Sequence, residues 1–263
     1  MMKVEKIPKN ELVMAVRKAN SVLKDDSLRM NNTASNSKVE CVYMFGQEEG
    51  GNGVCIDPQG WVLTNAHCIA EYDDVRSKPD PSMQISVVDV SGHIFYSSVL
   101  ALDVKRDLAI LAIKGVYDVD TKTFLKVAPE RVFEFVEVFS PEIPQTDYHG
   151  RLCCLGMGVG SRLGFDDLRG EYEGIRPGDR HDNFSGYGAL KHSCCTSWGH
   201  SGSPLLSPSG VLVGLHNSYN PNNYQRHGCH FEAVNAFLAT VRKSQISAAS
   251  GKKRKRSRVA SGK

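Results

Sequence analysis

The chain has 263 residues, 41% hydrophobic and 23% charged, a balance that suits a globular protein able to bury a core in one or two compact units. Residues 251–263 hold seven Lys and Arg and no acid, so without that end the formal charge of +3 becomes −4 and the body is mildly acidic. No run of 18 apolar residues is present, which argues against a membrane-spanning helix. The first 20 residues carry Lys3, Glu5, Lys6, Lys9, Glu11, Arg17 and Lys18, which leaves no apolar stretch for a secretory leader and predicts an intracellular protein.

Leu12, Val13, Val16, Ala19 and Leu23 fall at helical spacing within residues 10–24, so a short amphipathic helix is expected. The polar stretch 25–38 then reads as a linker, which makes residues 1–38 an N-terminal segment. From residue 39 the texture changes to short β-type runs broken by turns. Strands are expected over 39–45, 53–56, 61–64, 84–90, 93–102 and 108–113, with Asp57-Pro58-Gln59-Gly60 as a tight turn. A second group is expected over 135–139, 152–157, 188–192, 204–206, 211–216 and 227–231. Two such sets predict an all-β body at 39–246: two packed six-stranded antiparallel barrels, the first at about 39–120 and the second at about 132–231. The Gly-, Asp- and Arg-rich stretch 158–186 reads as a long surface loop near a cleft. Val234, Phe237, Leu238 and Val241 mark a closing helix at 232–243, and the tail 247–263 is expected to be disordered.

The stretch Gly199-His200-Ser201-Gly202-Ser203-Pro204 places a serine in a sharp, small-residue turn where the N–H groups of Gly199 and Ser201 can converge on one oxygen as an oxyanion hole. A serine hydroxyl is a weak nucleophile and needs a base, which Thr64-Asn65-Ala66-His67-Cys68 supplies. The base in turn needs an acid to hold its tautomer, and Asp107 stands directly before the continuous apolar run 108–113. The Thr-Asn-Ala-His block, then Arg106-Asp107-Leu108-Ala109-Ile110-Leu111, then Gly-His-Ser-Gly-Ser-Pro, resembles the trypsin-like serine proteases, nearest to their HtrA/Deg-type and glutamyl endopeptidase branches. The resemblance implies a serine endopeptidase with His67 and Asp107 on the first barrel and Ser201 on the second. Each member also has a bland reading: His67 as a strand cap, Asp107 as the partner of Arg106, and Asp103 as a rival acid. His200 stands where zymogen-activated relatives carry an aspartate, so activation by a freed N-terminus is not expected.

By the same resemblance, Cys195, Thr196, His216 and Asn217 line the pocket for the residue before the scissile bond (P1). No acid stands at Cys195, which argues against Arg or Lys there. Thr196 with His216 resembles the pocket of glutamyl endopeptidases and of potyviral and picornaviral chymotrypsin-like cysteine proteases, and implies P1 Glu or Gln, bound by an imidazole donor and a hydroxyl. His216 as a satisfied core histidine is the competing reading.

The eight cysteines include the adjacent pairs Cys153-Cys154 and Cys194-Cys195, an arrangement poorly suited to a disulfide framework, and are read as buried thiols. His192, Cys194, Cys195, His227, Cys229 and His230 lack zinc-site spacing, so buried thiols and surface histidines account for them and no metal or other cofactor is expected. The expected partners are polypeptide substrates, with no membrane. The basic cluster at 252–258 suits an import receptor, and with it a nuclear location, or weak contact with nucleic acid; a solubilising tail in a cytoplasmic protein is the plain alternative. A protease-shaped binding module without turnover stays open as the rival to an active enzyme.

Overall fold

The computed structural model describes residues 9–23, 36–46, 50–69, 84–128, 130–140, 142, 150–158, 166–176 and 189–260, with the side chains of 248–260 left aside. The first barrel is built from β1 (Val42–Phe45), β2 (Asn52–Asp57), β3 (Trp61–Thr64), β4 (Gln84–Asp89), β5 (Ile94–Asp103) and β6 (Leu108–Asp118) in the order β3-β2-β1-β4-β5-β6, closed by pairing of β3 with β6. A further strand, β7 (Thr123–Lys126), extends β6 at the edge. The second barrel closes β8 (Arg151–Gly156), β9 (Asp166–Arg176), β10 (Ala189–His192), β11 (Pro204–Leu206), β12 (Leu212–Asn220) and β13 (Gln225–His230) in the order β10-β13-β12-β11-β8-β9. Every pairing within both barrels is antiparallel, so closure leaves no open edge among those twelve strands.

Strands β1, β6 and β8 are buried on both faces for most of their length because each face meets a different core. On β1, Tyr43 and Phe45 fill the first barrel, while Val42 and Met44 point into a layer shared with the second. Residues Ala109, Leu111 and Ile113 of β6 likewise face inward, and Leu108 and Ile110 face the shared layer. On β8 the same alternation sends Leu152 and Cys154 into the second barrel and Cys153 and Leu155 into the shared layer. A period of two with apolar residues at every position therefore builds a sandwich of three cores, and it explains why the run 108–113 reads as continuous rather than alternating.

Several sequence expectations are corrected here. The stretch 158–186 is not one loop: residues 166–176 form β9, hydrogen-bonded to both β8 and β10. Its Arg and Glu side chains face solvent while the backbone ladder on both sides carries the strand, so hydrophobic periodicity gave little signal. Residues 135–139 form no ladder strand. They cross between the barrels, with the Val136 N–H donating to Cys55 O (2.9 Å) and the Phe139 N–H to Leu212 O (2.9 Å). The N-terminal helix α1 (Lys9–Leu23) buries Glu11, Ala15, Lys18, Ala19 and Val22, and leaves Val13 exposed. Small Ala15 lets α1 approach Gly46, and the polar pair is satisfied there: Glu11 accepts from the Ser86 N–H and hydroxyl (2.8 and 2.6 Å), and Lys18 donates to Phe45 O (2.7 Å). The closing helix does not stop near 243. The helix α2 (Phe231–Ala260) runs on through most of the tail expected to be disordered from 247. Its first turns are anchored by Ala233, Val234, Phe237, Leu238 and Val241, and extending a nucleated helix through Ala, Lys and Arg needs no second costly nucleus. Residues 25–35 of the expected linker lie outside the described residues.

Candidate active site

His67 lies in a single 3-10 turn (Ala66–Cys68) that follows β3, at the rim of the first barrel. Asp107 is reached by the turn from Val104, whose carbonyl accepts the Asp107 N–H at 3.2 Å. Asp107 is 1% exposed and adopts φ +53°, a left-handed conformation costly for a residue with a Cβ, so the surroundings must hold it. They do so from two directions: Asp107 O accepts the Ala66 N–H (3.2 Å) and the Asn65 carboxamide (3.1 Å), while Oδ1 accepts the His67 N–H (2.9 Å). The remaining oxygen, Oδ2, lies 2.7 Å from His67 Nδ1. Arg106, the bland partner for Asp107, pairs with Asp103, the rival acid.

Burial disfavours a charged His67, but the Asp107 carboxylate and the Cys68 thiol beside it outweigh that and raise the imidazole above its ordinary 6.5. With Nδ1 turned to the carboxylate, Nε2 is the ring nitrogen on the side away from Asp107.

Ser201 lies across a cleft of about 970 Å³ that His67 also lines. Its hydroxyl donates to Asn217 O at 3.3 Å. Ahead of it, Ser197–His200 form a β-turn closed by the His200 N–H on Ser197 O (3.3 Å), with Gly199 at φ +93° in the third position, as a type II turn demands. The N–H groups of Gly199 and Ser201 take no hydrogen-bond acceptor among the described residues. Gly202 (φ +78°) turns the chain away beneath them, and a Cβ there would sit 2.0 Å from Asn52 O. The Ser201 loop thus rests against the first barrel: the Asn52 N–H donates to Ser201 O (2.7 Å), and the Asn52 carboxamide donates to Gly199 O (2.9 Å) and Met157 O (3.1 Å).

His200 is 1% exposed and burial lowers its pKa, so it is neutral. Its Nδ1 accepts the Ser197 N–H (3.1 Å), which leaves Nε2 protonated, 3.1 Å from Asp166 on β9. It braces the turn that presents Gly199.

The pocket expectation is met unevenly. Thr196 and His216 are buried and line the cleft with Ser201. The Thr196 hydroxyl has no partner among the described residues. Burial, together with His192 alongside (Nε2 to His216 Nδ1, 3.0 Å), pushes His216 well below its ordinary range and keeps it neutral. Cys195, by contrast, is exposed and does not line the cleft; its thiol lies 3.8 Å from an Arg226 Nη2. Asn217 lines the cleft, yet its carboxamide donates to Asp107 Oδ2 rather than standing free. Ser218 and Tyr219, which continue the strand expected to pair with the substrate backbone, line the cleft too; Trp198 and Arg226 also line it and were not read from sequence, since no motif spacing pointed to them.

All eight cysteines are free, but the expectation of eight buried thiols is corrected, because Cys195 is exposed and Cys68 half-buried at the cleft. His192, His227 and His230 are buried rather than on the surface, since β10 and β13 turn them inward. Among the described residues no group of His, Cys, Asp or Glu is placed to hold a metal ion, and no helix is long and apolar enough to cross a membrane.

Two closed antiparallel barrels meeting at a cleft lined by a histidine and a serine, with an aspartate buried behind the histidine, are the architecture of a trypsin-like protease fold. The chain belongs to the trypsin-like peptidase domain family, which matches residues 51–215. It is 25% identical over 167 residues to the putative protease Do-like 14 of Arabidopsis thaliana; the match takes in 63% of this chain but only 34% of that protein, so the chain spans about a third of the relative's length. The crystal structure of an inactive serine-to-alanine mutant of Rv3671c from M. tuberculosis superposes with a TM-score of 0.59 over 84% of this chain and 95% of that one, at 19% identity, a likeness of fold.

Proposed function

We propose that the protein is an intracellular serine endopeptidase in which Ser201 is the nucleophile, His67 the general base and Asp107 the group that orients it. The observation that carries this reading is the two-point grip of Asp107 on His67, 2.7 Å to Nδ1 and 2.9 Å to the backbone N–H, across a shared cleft from Ser201. In the proposed reaction Ser201 Oγ attacks the scissile carbonyl carbon as its proton passes to His67 Nε2. The developing oxyanion is met by the Gly199 and Ser201 N–H groups. His67 then protonates the leaving amine, and water releases the acyl group by the reverse proton path. Labelling by a serine-directed fluorophosphonate, abolished in Ser201→Ala, is the expected result. A folded wild type that stays unlabelled supports the rival reading, a protease-shaped module that binds without turnover.

For P1 the reading is Glu or Gln, supported by the unpartnered Thr196 hydroxyl and the neutral His216 imidazole in the cleft, both suited to a side-chain oxygen. Cleavage profiling dominated by Arg, Lys or large aromatics at P1 would remove it. For the basic cluster at 252–258 the proposal is an import receptor and a nuclear location, or weak nucleic-acid contact. A chain ending after Ser250 with unaltered nuclear distribution and salt-insensitive nucleic-acid retention counts against both.

A further inference from the structure

The proposed imidazole and hydroxyl donors leave one question of chemistry open. A Glu and a Gln side chain both offer an oxygen acceptor at the end of the same arm, and a neutral imidazole with a neutral hydroxyl satisfies either. A fixed positive charge beside that oxygen favours a carboxylate over a carboxamide. His216 does not supply it, because burial and His192 hold it neutral. The cleft nevertheless contains a cation.

Arg226 stands on β13 directly opposite Tyr219 on β12, and both line the cleft with Thr196, His216 and Ser201. Its Nε donates to Thr196 O at 3.3 Å, and its guanidinium carbon lies 5.2 Å from the centroid of the Tyr219 ring. These contacts fix the plane of the guanidinium at the mouth of the pocket and tie it to the segment that carries the Thr196 hydroxyl. Among the described residues no carboxylate pairs with Arg226, and beyond Thr196 O its only other contact as a donor is the Cys195 sulfur at 3.8 Å. A half-buried guanidinium with unspent N–H groups, beside an orphaned hydroxyl, is complementary to an anion.

We propose that Arg226 is the specificity-determining charge of the pocket and that the substrates are polypeptides with an acidic side chain, Glu in preference to Gln, at P1. This inference rests on the Glu-or-Gln reading of P1 given above and decides between its two members. The Thr196 hydroxyl and His216 then position one carboxylate oxygen, and the guanidinium supplies the charge that an amide cannot answer.

The test compares kcat/KM for paired peptides differing only in Glu or Gln at P1, in wild type, Arg226→Gln and Arg226→Lys. Wild type is expected to favour Glu by about tenfold or more, the scale of a charge-assisted hydrogen bond. In Arg226→Gln the Glu rate should fall about tenfold further than the Gln rate, and Arg226→Lys should restore part of the preference. Affinity of the same peptides for the Ser201→Ala protein reads the discrimination without turnover and should change in parallel. Equal wild-type rates and affinities for Glu and Gln overturn the proposal, as does an Arg226→Gln variant whose Glu and Gln rates fall together, which marks Arg226 as a structural clamp on Thr196. A wild type that takes neither Glu nor Gln, in cleavage or in binding, removes instead the P1 reading beneath it.

Discussion

The Asn217 carboxamide donates to the same oxygen of Asp107, Oδ2, that lies 2.7 Å from His67 Nδ1. Asp107 belongs to the first barrel and Asn217 to β12 of the second, so the carboxylate is held from both sides of the cleft. Asn217→Ala removes that second hold while leaving the backbone carbonyl that receives the Ser201 hydroxyl. The expected outcome is a fall in kcat of roughly tenfold to a hundredfold, the worth of one hydrogen bond to a charged group, with KM moving less than about threefold. Steady-state kinetics on a variant with wild-type circular dichroism decide it. A loss carried mainly by KM would return Asn217 to a substrate-binding role.

The raised His67 predicts an alkaline activity profile. Turnover needs the neutral imidazole, and a pKa held above 6.5 by the Asp107 carboxylate and the Cys68 thiol keeps the ring protonated through neutral pH. The kcat/KM profile should therefore climb through a limb above pH 7. In Asp107→Asn the limb should move to lower pH, and the plateau should drop by about 10⁴-fold. A wild-type limb at or below pH 6.5 contradicts this picture.

Asn52 ties the barrels together by its side chain. It is fully buried, donates to Met157 O and Gly199 O, and accepts the Met157 N–H at 2.9 Å. Asn52→Ala leaves those buried backbone groups unpaired and should cost about 3 kcal/mol of stability, measured by urea unfolding. Fluorophosphonate reactivity should fall as well, because Gly199 O loses its anchor. A variant within about 0.5 kcal/mol of wild type sinks the assignment.

Gly202→Ala tests how tightly the serine loop is seated. The new Cβ meets Asn52 O at 2.0 Å and Thr64 Oγ1 at 2.6 Å, and φ +78° already disfavours a side chain. Backbone cannot yield as a flexible side-chain end would. Loss of about 3 kcal/mol or more is expected, against a much smaller loss for Gly174→Ala, whose Cβ meets nothing within 4 Å at a comparable φ of +94°.

The motif blocks around His67, Asp107 and Ser201 were legible because each is a short local signature set by turn geometry. Strands such as Trp61–Thr64 were legible to the residue, since apolar runs ended at clear turn residues. What escaped the sequence depended on pairing across distance. Asp166–Arg176 is a strand only because β8 and β10 flank it. Arg226 enters the cleft only because the β12–β13 register sets it opposite Tyr219. The length of α2 escaped for another reason: its polar end offers no buried face to read, yet continues a helix already anchored.

The 2.7 Å bond from the Asn52 N–H to Ser201 O makes the reactive loop a shared hinge pin rather than a property of one half of the molecule. Chemical competence is then expected to be a measure of docking: mild urea that loosens the seam between the halves should abolish fluorophosphonate labelling before either barrel's own ladder is lost.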